Sequence, residues 1–138
     1  MKTIALLVIL GALLLSACGS NNSEKVEVSL TEFGIESSTT TFEAGQRYVF
    51  EIINEGALAH EFTVSEPLRD MGMADHEMGG ADHDMSMALL HIGEDELAPG
   101  STVTIEFTFT NAADGLEFAC HLTGHYEAGM FTPITVGA

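Results

Sequence analysis

The chain has 138 residues, which is enough for one compact domain with a modest core but not for two large domains. Hydrophobic residues make up 46% of it and charged residues only 18%, so its composition is that of a globular protein rather than a disordered one. With 4 Lys+Arg against 21 Asp+Glu, the formal net charge is −17, which excludes nucleic-acid binding as the main function because phosphates would be repelled. Two cysteines exclude a disulfide framework and a four-thiolate zinc or iron–sulfur site.

The first 24 residues predict export and a membrane anchor. A basic start, Met1-Lys2, is followed by an apolar run from Ile4 to Leu15, which is shorter than the ~20 helical residues that cross a hydrocarbon core. The tetrad Leu15-Ser16-Ala17-Cys18 resembles a bacterial lipoprotein box. That resemblance implies a signal peptide at 1–17, lipidation of Cys18 and a flexible tether within 18–24, at the periplasmic face of an outer membrane or the outer face of the cell membrane. An ordinary signal peptide is the alternative.

From Lys25 onward, apolar residues alternate with polar ones, which predicts half-buried β-strands. The clearest runs are Val26 to Leu30, Tyr48 to Ile52 and Val103 to Phe109. Turn signals that contain glycine separate the runs, at 43–46, 54–56, 98–101 and 113–115. Residues 25–138 are therefore predicted to form one all-β domain, a two-sheet sandwich of about seven or eight strands.

Residues 66–91, the Met/His-rich loop, interrupt this pattern. The loop contains a local duplication, in which Asp75-His76-Glu77-Met78 is repeated as Asp82-His83-Asp84-Met85. It is predicted to be a surface loop inserted into the sandwich. Thioethers suit Cu(I) and imidazoles suit Cu(II), so additional, weakly bound copper is expected here; the alternative is a polar low-complexity loop that binds no metal. The candidate ligands are Met71, Met73, His76, Met78, His83, Met85 and Met87.

The densest set of metal-binding side chains lies near the end of the chain. Cys120, His125 and Met130 follow one another as Cys-x4-His-x4-Met, and His60, just before a predicted strand, can supply a fourth ligand. Two imidazoles and a thiolate in a plane, with a weak axial thioether, form a blue-copper electron-transfer site. Such soft ligands disfavour Mg, Ca and Mn, and a thioether is a poor ligand for zinc, so copper is the predicted metal.

With these residues, the chain resembles the cupredoxins, the type 1 copper proteins that include rusticyanin, plastocyanin and azurin. The resemblance covers nearly all of residues 25–138 and is carried by Phe42-Glu43-Ala44-Gly45, Asn54 to His60, Ala98-Pro99-Gly100 and Phe118 to Met130. It implies a Greek-key sandwich and one type 1 copper with the ligands His60, Cys120, His125 and axial Met130. The chain departs from the family at Glu61, where many cupredoxins have an Asn or Ser that fixes the ligand loop.

His121 raises a second possibility, because a Cys-His pair also resembles the last domain of multicopper oxidases, where that His binds a trinuclear cluster. Those enzymes place a His on both sides of the Cys, but Ala119 precedes Cys120, and the chain has no His-x-His pair. Neighbouring side chains of a strand face opposite sides. We therefore expect His121 to face the surface and not to share the copper of Cys120.

The functional hypothesis is a membrane-tethered one-electron carrier. No residue set for nucleophilic or acid–base catalysis is present, so the chain is predicted not to be an enzyme. We expect a monomer that docks a redox partner through a basic patch on that partner, more weakly as salt rises. The alternative is copper handling, either sequestration or delivery, through the Met/His-rich loop.

Overall fold

The structure, a computed structural model, describes residues 23–67 and 87–138. The predicted signal peptide, Cys18 and most of the Met/His-rich loop lie outside these residues. Nine strands are described: β1 (Glu24–Leu30), β2 (Ile35–Ser37), β3 (Thr41–Glu43), β4 (Arg47–Asn54), β5 (Phe62–Ser65), β6 (Leu90–Ile92), β7 (Thr102–Thr108), β8 (Ala113–Ala119) and β9 (Phe131–Gly137). The predicted all-β sandwich is confirmed, with nine strands rather than seven or eight. The strands β2, β3 and β6 have only three residues each, too few for alternation to be visible in the sequence.

The strands form two sheets. One has four strands in the order β2-β1-β4-β7, and the other has five in the order β3-β9-β8-β5-β6. The pairs β1–β4 and β3–β9 are parallel, and the remaining pairs are antiparallel. Among the described residues, no helix is long and apolar enough to span a membrane.

The core lies between the sheets and is rich in phenylalanine. Alternate residues of β1 and β4 are fully or almost fully buried, as the period-two pattern predicted. Phe42 is central, because its ring centroid lies 5.0 Å from that of Phe109 and 5.8 Å from those of Phe50 and Phe118. Such interlocked rings fix the spacing of the sheets and hold the strands that carry the candidate ligands.

Two local predictions are corrected by the structure. Ala113 to Gly115, predicted as a turn, begins β8, where the register shifts between Asp114 and Leu116 and Gly115 has a φ of 84°. A glycine with positive φ serves a β-bulge as well as a turn, so the sequence signal was ambiguous. The predicted loop 66–91 is also too long at its end, because its last two residues belong to β6.

Candidate metal centre

Two neighbouring strands bring the first pair of candidate ligands to one end of the five-stranded sheet. Thr63 of β5 is paired with Ala119 of β8, so His60, three residues before Thr63, and Cys120, directly after Ala119, lie at the same end. The loop from Cys120 to Met130 then folds back on itself. The N–H of Met130 donates to the carbonyl of His125 at 3.0 Å, and the N–H of Cys120 donates to the carbonyl of Met130 at 3.1 Å.

Three ligand atoms converge at this end. His60 Nδ1 lies 3.2 Å from His125 Nδ1, which lies 3.4 Å from Cys120 Sγ, and the metal-binding atoms of all three residues are within 4.8 Å of one another. For metal–nitrogen bonds of about 2.0–2.1 Å and a metal–sulfur bond of about 2.3 Å, tetrahedral to trigonal angles require roughly 3.3–3.6 Å between nitrogens and roughly 3.6–3.8 Å between nitrogen and sulfur. The observed spacing is within a few tenths of an ångström of these values, so the residues fit one metal ion.

Burial has shifted the protonation of two of these groups toward their neutral forms. Burial, and then the charge of His125, lowers the pKa of His60. Burial raises the pKa of the Cys120 thiol, while the backbone N–H groups of Glu61 and Leu122 favour the thiolate. A metal ion would deprotonate such a thiol outright, so the two N–H groups are placed to stabilise a metal-bound sulfur.

Met130, the candidate axial ligand, is fully buried. Its backbone forms hydrogen bonds with the backbones of Cys120 and His125, the other two candidate ligands of this loop, and these bonds hold Met130 next to both. A buried methionine is commonly a packing residue. Here its backbone hydrogen bonds to two candidate ligands, directly before β9, are consistent with the axial role that the resemblance implies.

Asn54 and Gly56 hold the segment that carries His60. The buried Asn54 side chain donates to the carbonyls of Leu58 and Leu97, both at 2.8 Å, and accepts a bond from the N–H of Gly56 at 2.9 Å. A Cβ at Gly56 would lie 3.1 Å from His60 Nε2, so a larger residue here would push the imidazole by a few tenths of an ångström. The turn signal at 54–56 indicated a turn but not its role in positioning His60.

Glu61 links the two ligand-bearing strands. Its side chain is nearly buried, and Oε1 accepts a hydrogen bond of 2.7 Å from the N–H of His121, the residue after Cys120. An ionised carboxylate cannot donate, but this contact needs only an acceptor. Glu61 can therefore fix the ligand loop as an Asn or Ser would, through a charge-assisted bond.

His121 is buried rather than facing the surface, which corrects the prediction. It is 3% exposed, its Nδ1 lies 3.6 Å from Glu61 Oε1, and its ring stacks on that of Tyr126 with centroids 5.3 Å apart. It is not part of the three-ligand group. Alternation placed it on the other side of the strand from Cys120, but could not show that Tyr126 covers that side.

The second imidazole is the accessible part of the centre. His125 is half-buried, and the ring of Phe33 packs edge-on against it with centroids 5.8 Å apart. Phe33 is 53% exposed, so an accessible apolar ring lies against this edge. Nothing in the sequence pointed to Phe33, which lies between β1 and β2, far along the chain from the other residues of the metal centre. Of the loop candidates, Met87 is described and is exposed, and Met71 to Met85 lie outside the described residues.

Comparison with known proteins settles the family. The copper-resistant cuproprotein CopI of Pseudomonas aeruginosa is 32% identical to this chain over an alignment of 139 positions. The alignment covers 83% of this chain and 76% of CopI. The chain belongs to the cupredoxin family. No family model matches it. Copper, the metal predicted from the ligand set, is therefore the cofactor of this cupredoxin.

Solved structures agree with this cupredoxin at the level of the fold. Auracyanin from Roseiflexus castenholzii superposes with a TM-score of 0.63 at 23% identity, over 84% of this chain and 98% of auracyanin. Rusticyanin from Thiobacillus ferrooxidans superposes with a TM-score of 0.54 at 16% identity, over 83% of this chain and 79% of rusticyanin. The predicted cupredoxin-like sandwich is thus confirmed.

Proposed function

We propose that this cupredoxin is a one-electron carrier whose copper is held by His60, Cys120, His125 and, axially, Met130. The observation that carries the proposal is the convergence of two imidazole nitrogens and one sulfur within 4.8 Å, at an end of a rigid sandwich. This ligand set is that of blue-copper electron-transfer sites. Copper supplies the one-electron chemistry by alternating between Cu(I) and Cu(II).

The surrounding protein supports rapid electron transfer by holding the ligands still. His60 is held by the Asn54 hydrogen bonds, and the position of Cys120 is fixed by the bond from the next residue to Glu61. Ligands that stay in place in both oxidation states avoid a slow rearrangement. Cys120 and the two imidazoles are assigned as copper ligands rather than as a nucleophile and its base, and we propose on that ground that the protein is not an enzyme.

The half-buried His125 edge, with the exposed Phe33 packed against it, is the proposed docking surface for the redox partner. At a net charge of −17, the chain favours a partner that carries basic residues around an apolar contact. The rate of electron exchange is expected to fall as ionic strength rises, since salt screens these charges. Stopped-flow measurement of electron exchange at several salt concentrations tests this, and a rate that is independent of salt would contradict it.

The visible absorption spectrum of the purified full chain, loaded with one equivalent of Cu(II), tests the centre itself. We expect an intense thiolate-to-copper charge-transfer band that is lost in Cys120→Ser. The matched control is Cys18→Ser, which removes the other cysteine and should keep the band. A colourless wild-type protein, or a band that persists in Cys120→Ser, would refute the type 1 assignment.

Copper handling is the second candidate function. Two observations favour it: the relative CopI is named as copper-resistant, and residues 71–87 hold five of the seven methionines. Under this alternative, the protein binds copper beyond one equivalent, and deletion of 71–87 lowers copper tolerance of the cells without changing the absorption band. If the deletion leaves the copper tolerance of the cells unchanged, and electron exchange is lost when the metal centre is removed, the carrier function is favoured.

Export and lipidation at Cys18 complete the proposal, and would place the domain at the periplasmic face of an outer membrane or at the outer face of the cell membrane. The support is the sequence alone, in which Cys18 follows the apolar run at the position of a lipoprotein box. Mass spectrometry of the protein from membranes is expected to show a chain that begins at a diacylated Cys18. An unmodified cysteine, or a different first residue, would contradict lipidation.

A further inference from the structure

The outer face of the five-stranded sheet carries a set of polar side chains that the copper centre does not use. In the register of the sheet, Thr63 of β5 lies opposite His91 of β6 on one side and opposite Ala119 of β8 on the other. Glu61 is two residues before Thr63, and His121 is two residues after Ala119. Because residues two apart share a face, Glu61, His91 and His121 come together on the side away from Cys120.

The contacts within this set centre on the carboxylate of Glu61. Oε1 accepts the 2.7 Å bond from the His121 N–H, and Oε2 lies 3.4 Å from Nε2 of His91. Hydrogen bonds between N–H and O are usually about 2.9–3.0 Å long, so the second contact is long for one. Two ligands bound to one metal ion at about 2.0–2.2 Å would be roughly 2.9 Å apart at a right angle and roughly 3.4 Å apart at a tetrahedral angle. The spacing of Oε2 and Nε2 is that of two such ligands.

We propose that Glu61 Oε2 and His91 Nε2 bind a second divalent transition-metal ion, Cu(II) in a copper-rich setting, with water in the remaining positions. A carboxylate and an imidazole are ligands that suit Cu(II), in contrast to the thiolate of the first centre. His91 is accessible, with 38% of its side chain exposed, whereas the Glu61 side chain is only 11% exposed. Solvent can thus deliver an ion to a carboxylate that is already oriented from behind by the His121 N–H.

The charge around the pair favours a cation. Within the described residues, the charged contacts of Glu61 are with His91 and His121, and neither involves Lys or Arg. The chain as a whole has only 4 Lys+Arg and a net charge of −17. The Glu61 carboxylate is largely buried, and neither of these two contacts brings it the permanent positive charge of a Lys or Arg. A divalent ion bound here would neutralise its negative charge.

The second site is connected to the first through one residue. The Glu61 backbone N–H favours the thiolate of Cys120, and the Glu61 side chain would bind the second ion. An ion there would reduce the negative field of Glu61 at the copper centre. Occupancy of the second site should therefore shift the reduction potential of the blue centre to more positive values, because a smaller negative field stabilises Cu(II) less.

The test is a titration of the full chain, already loaded with one equivalent of Cu(II), with a second equivalent of Cu(II). We expect a second electron paramagnetic resonance signal, of the type given by nitrogen and oxygen ligands, and in His91→Gln its apparent affinity should be weaker by more than about tenfold. The titration is made in a His76→Gln/His83→Gln background, so that the histidines of the Met/His-rich loop cannot give the signal, and the matched control in that background is Glu106→Gln, an exposed carboxylate of the other sheet, which should keep it. A signal that survives His91→Gln in this background, or that is absent from the background protein itself, would overturn the proposal.

A parallel titration with Zn(II) separates this inference from the proposed electron-carrier function. Zn(II) binding to the Cu(II)-loaded protein should raise the reduction potential of the blue centre in the wild type and not in His91→Gln. If no blue band forms at all, the electron-carrier proposal fails, but Zn(II) binding and its dependence on His91 still test the second site. If the band forms and Zn(II) binds equally well to both proteins, the second site is refuted while the first stands.

Discussion

The buried Asn54 side chain allows a quantitative test of how the His60 segment is held. It makes three hydrogen bonds: two donated to the carbonyls of Leu58 and Leu97 and one accepted from the N–H of Gly56. Asn54→Ala removes all three. At about 1 kcal/mol of net stability for each bond, the free energy of unfolding should fall by about 3 kcal/mol.

The groups left behind determine whether the loss is larger. The carbonyl of Leu97 also accepts a bond of 3.1 Å from the N–H of His60, so it keeps a partner. Leu58 is 46% exposed, which lets water reach its backbone. We therefore expect no large additional penalty for unsatisfied buried groups, and the estimate stays near about 3 kcal/mol.

Urea denaturation of the copper-free protein measures this change, with Asn111→Ala as the control. The Asn111 side chain is exposed and donates a hydrogen bond of 3.1 Å to the neighbouring Thr110 hydroxyl, so its removal should cost less than about 0.5 kcal/mol. Asn54→Ala should also weaken copper binding, since His60 is no longer fixed. Equal stabilities of the two variants would refute the role assigned to Asn54.

Three further predictions follow from the core and the metal centre. Phe118→Ala, at a fully buried position, should cost about 3–5 kcal/mol in urea denaturation, whereas Phe33→Ala, at a position 53% exposed, should cost much less; similar losses would contradict the burial. The copper-free protein should lose stability as pH falls below 6.5, because His60 binds a proton there in the unfolded chain but not in the folded one. It should also lose stability as pH rises above 9.0, because Cys120 releases its proton there in the unfolded chain but not in the folded one. Urea midpoints measured across this pH range check both effects, and a flat profile would refute them. Glu61→Gln keeps an acceptor for the His121 N–H but removes a negative charge near the copper centre. Voltammetry should therefore show a more positive reduction potential for the copper. An unchanged potential would mean that the charge of Glu61 is screened from the copper.

The sequence was sufficient to predict the sandwich because its long strands are half-buried. In β1 and β4, buried and exposed residues alternate strictly, so the pattern reports the structure directly. In β5, all four residues are buried, and in β6 there are only three residues. The strand predicted directly after His60 is β5, although burial on both faces leaves it no alternation, and the short length of β6 hides any pattern there.

The candidate ligands could be predicted because their chemistry is unusual, whereas the residues that support them could not. A Cys, a His and a Met at regular spacing near the end of a chain are rarely found together by chance, and they needed only one distant partner, His60. Phe33 has no such signal, because an exposed Phe is common. Glu61 stood out only as a departure from the family pattern, which did not show what its side chain contacts. Their roles depend on the pairing of β5 with β8 and on the position of the β1–β2 connection, which are properties of the fold.

Glu61 also explains why one departure from the family pattern need not loosen the metal centre. The contact that holds the ligand loop is a bond from a backbone N–H, and any side chain with an oxygen at this position can accept it. What a carboxylate adds is a negative charge on the outer face of the sheet, within 3.4–3.6 Å of two imidazole rings. An amide would provide the first property without the second. The presence of Glu at this position is therefore better explained by what lies on its outer side, His91 and His121, than by the needs of the copper ligands alone.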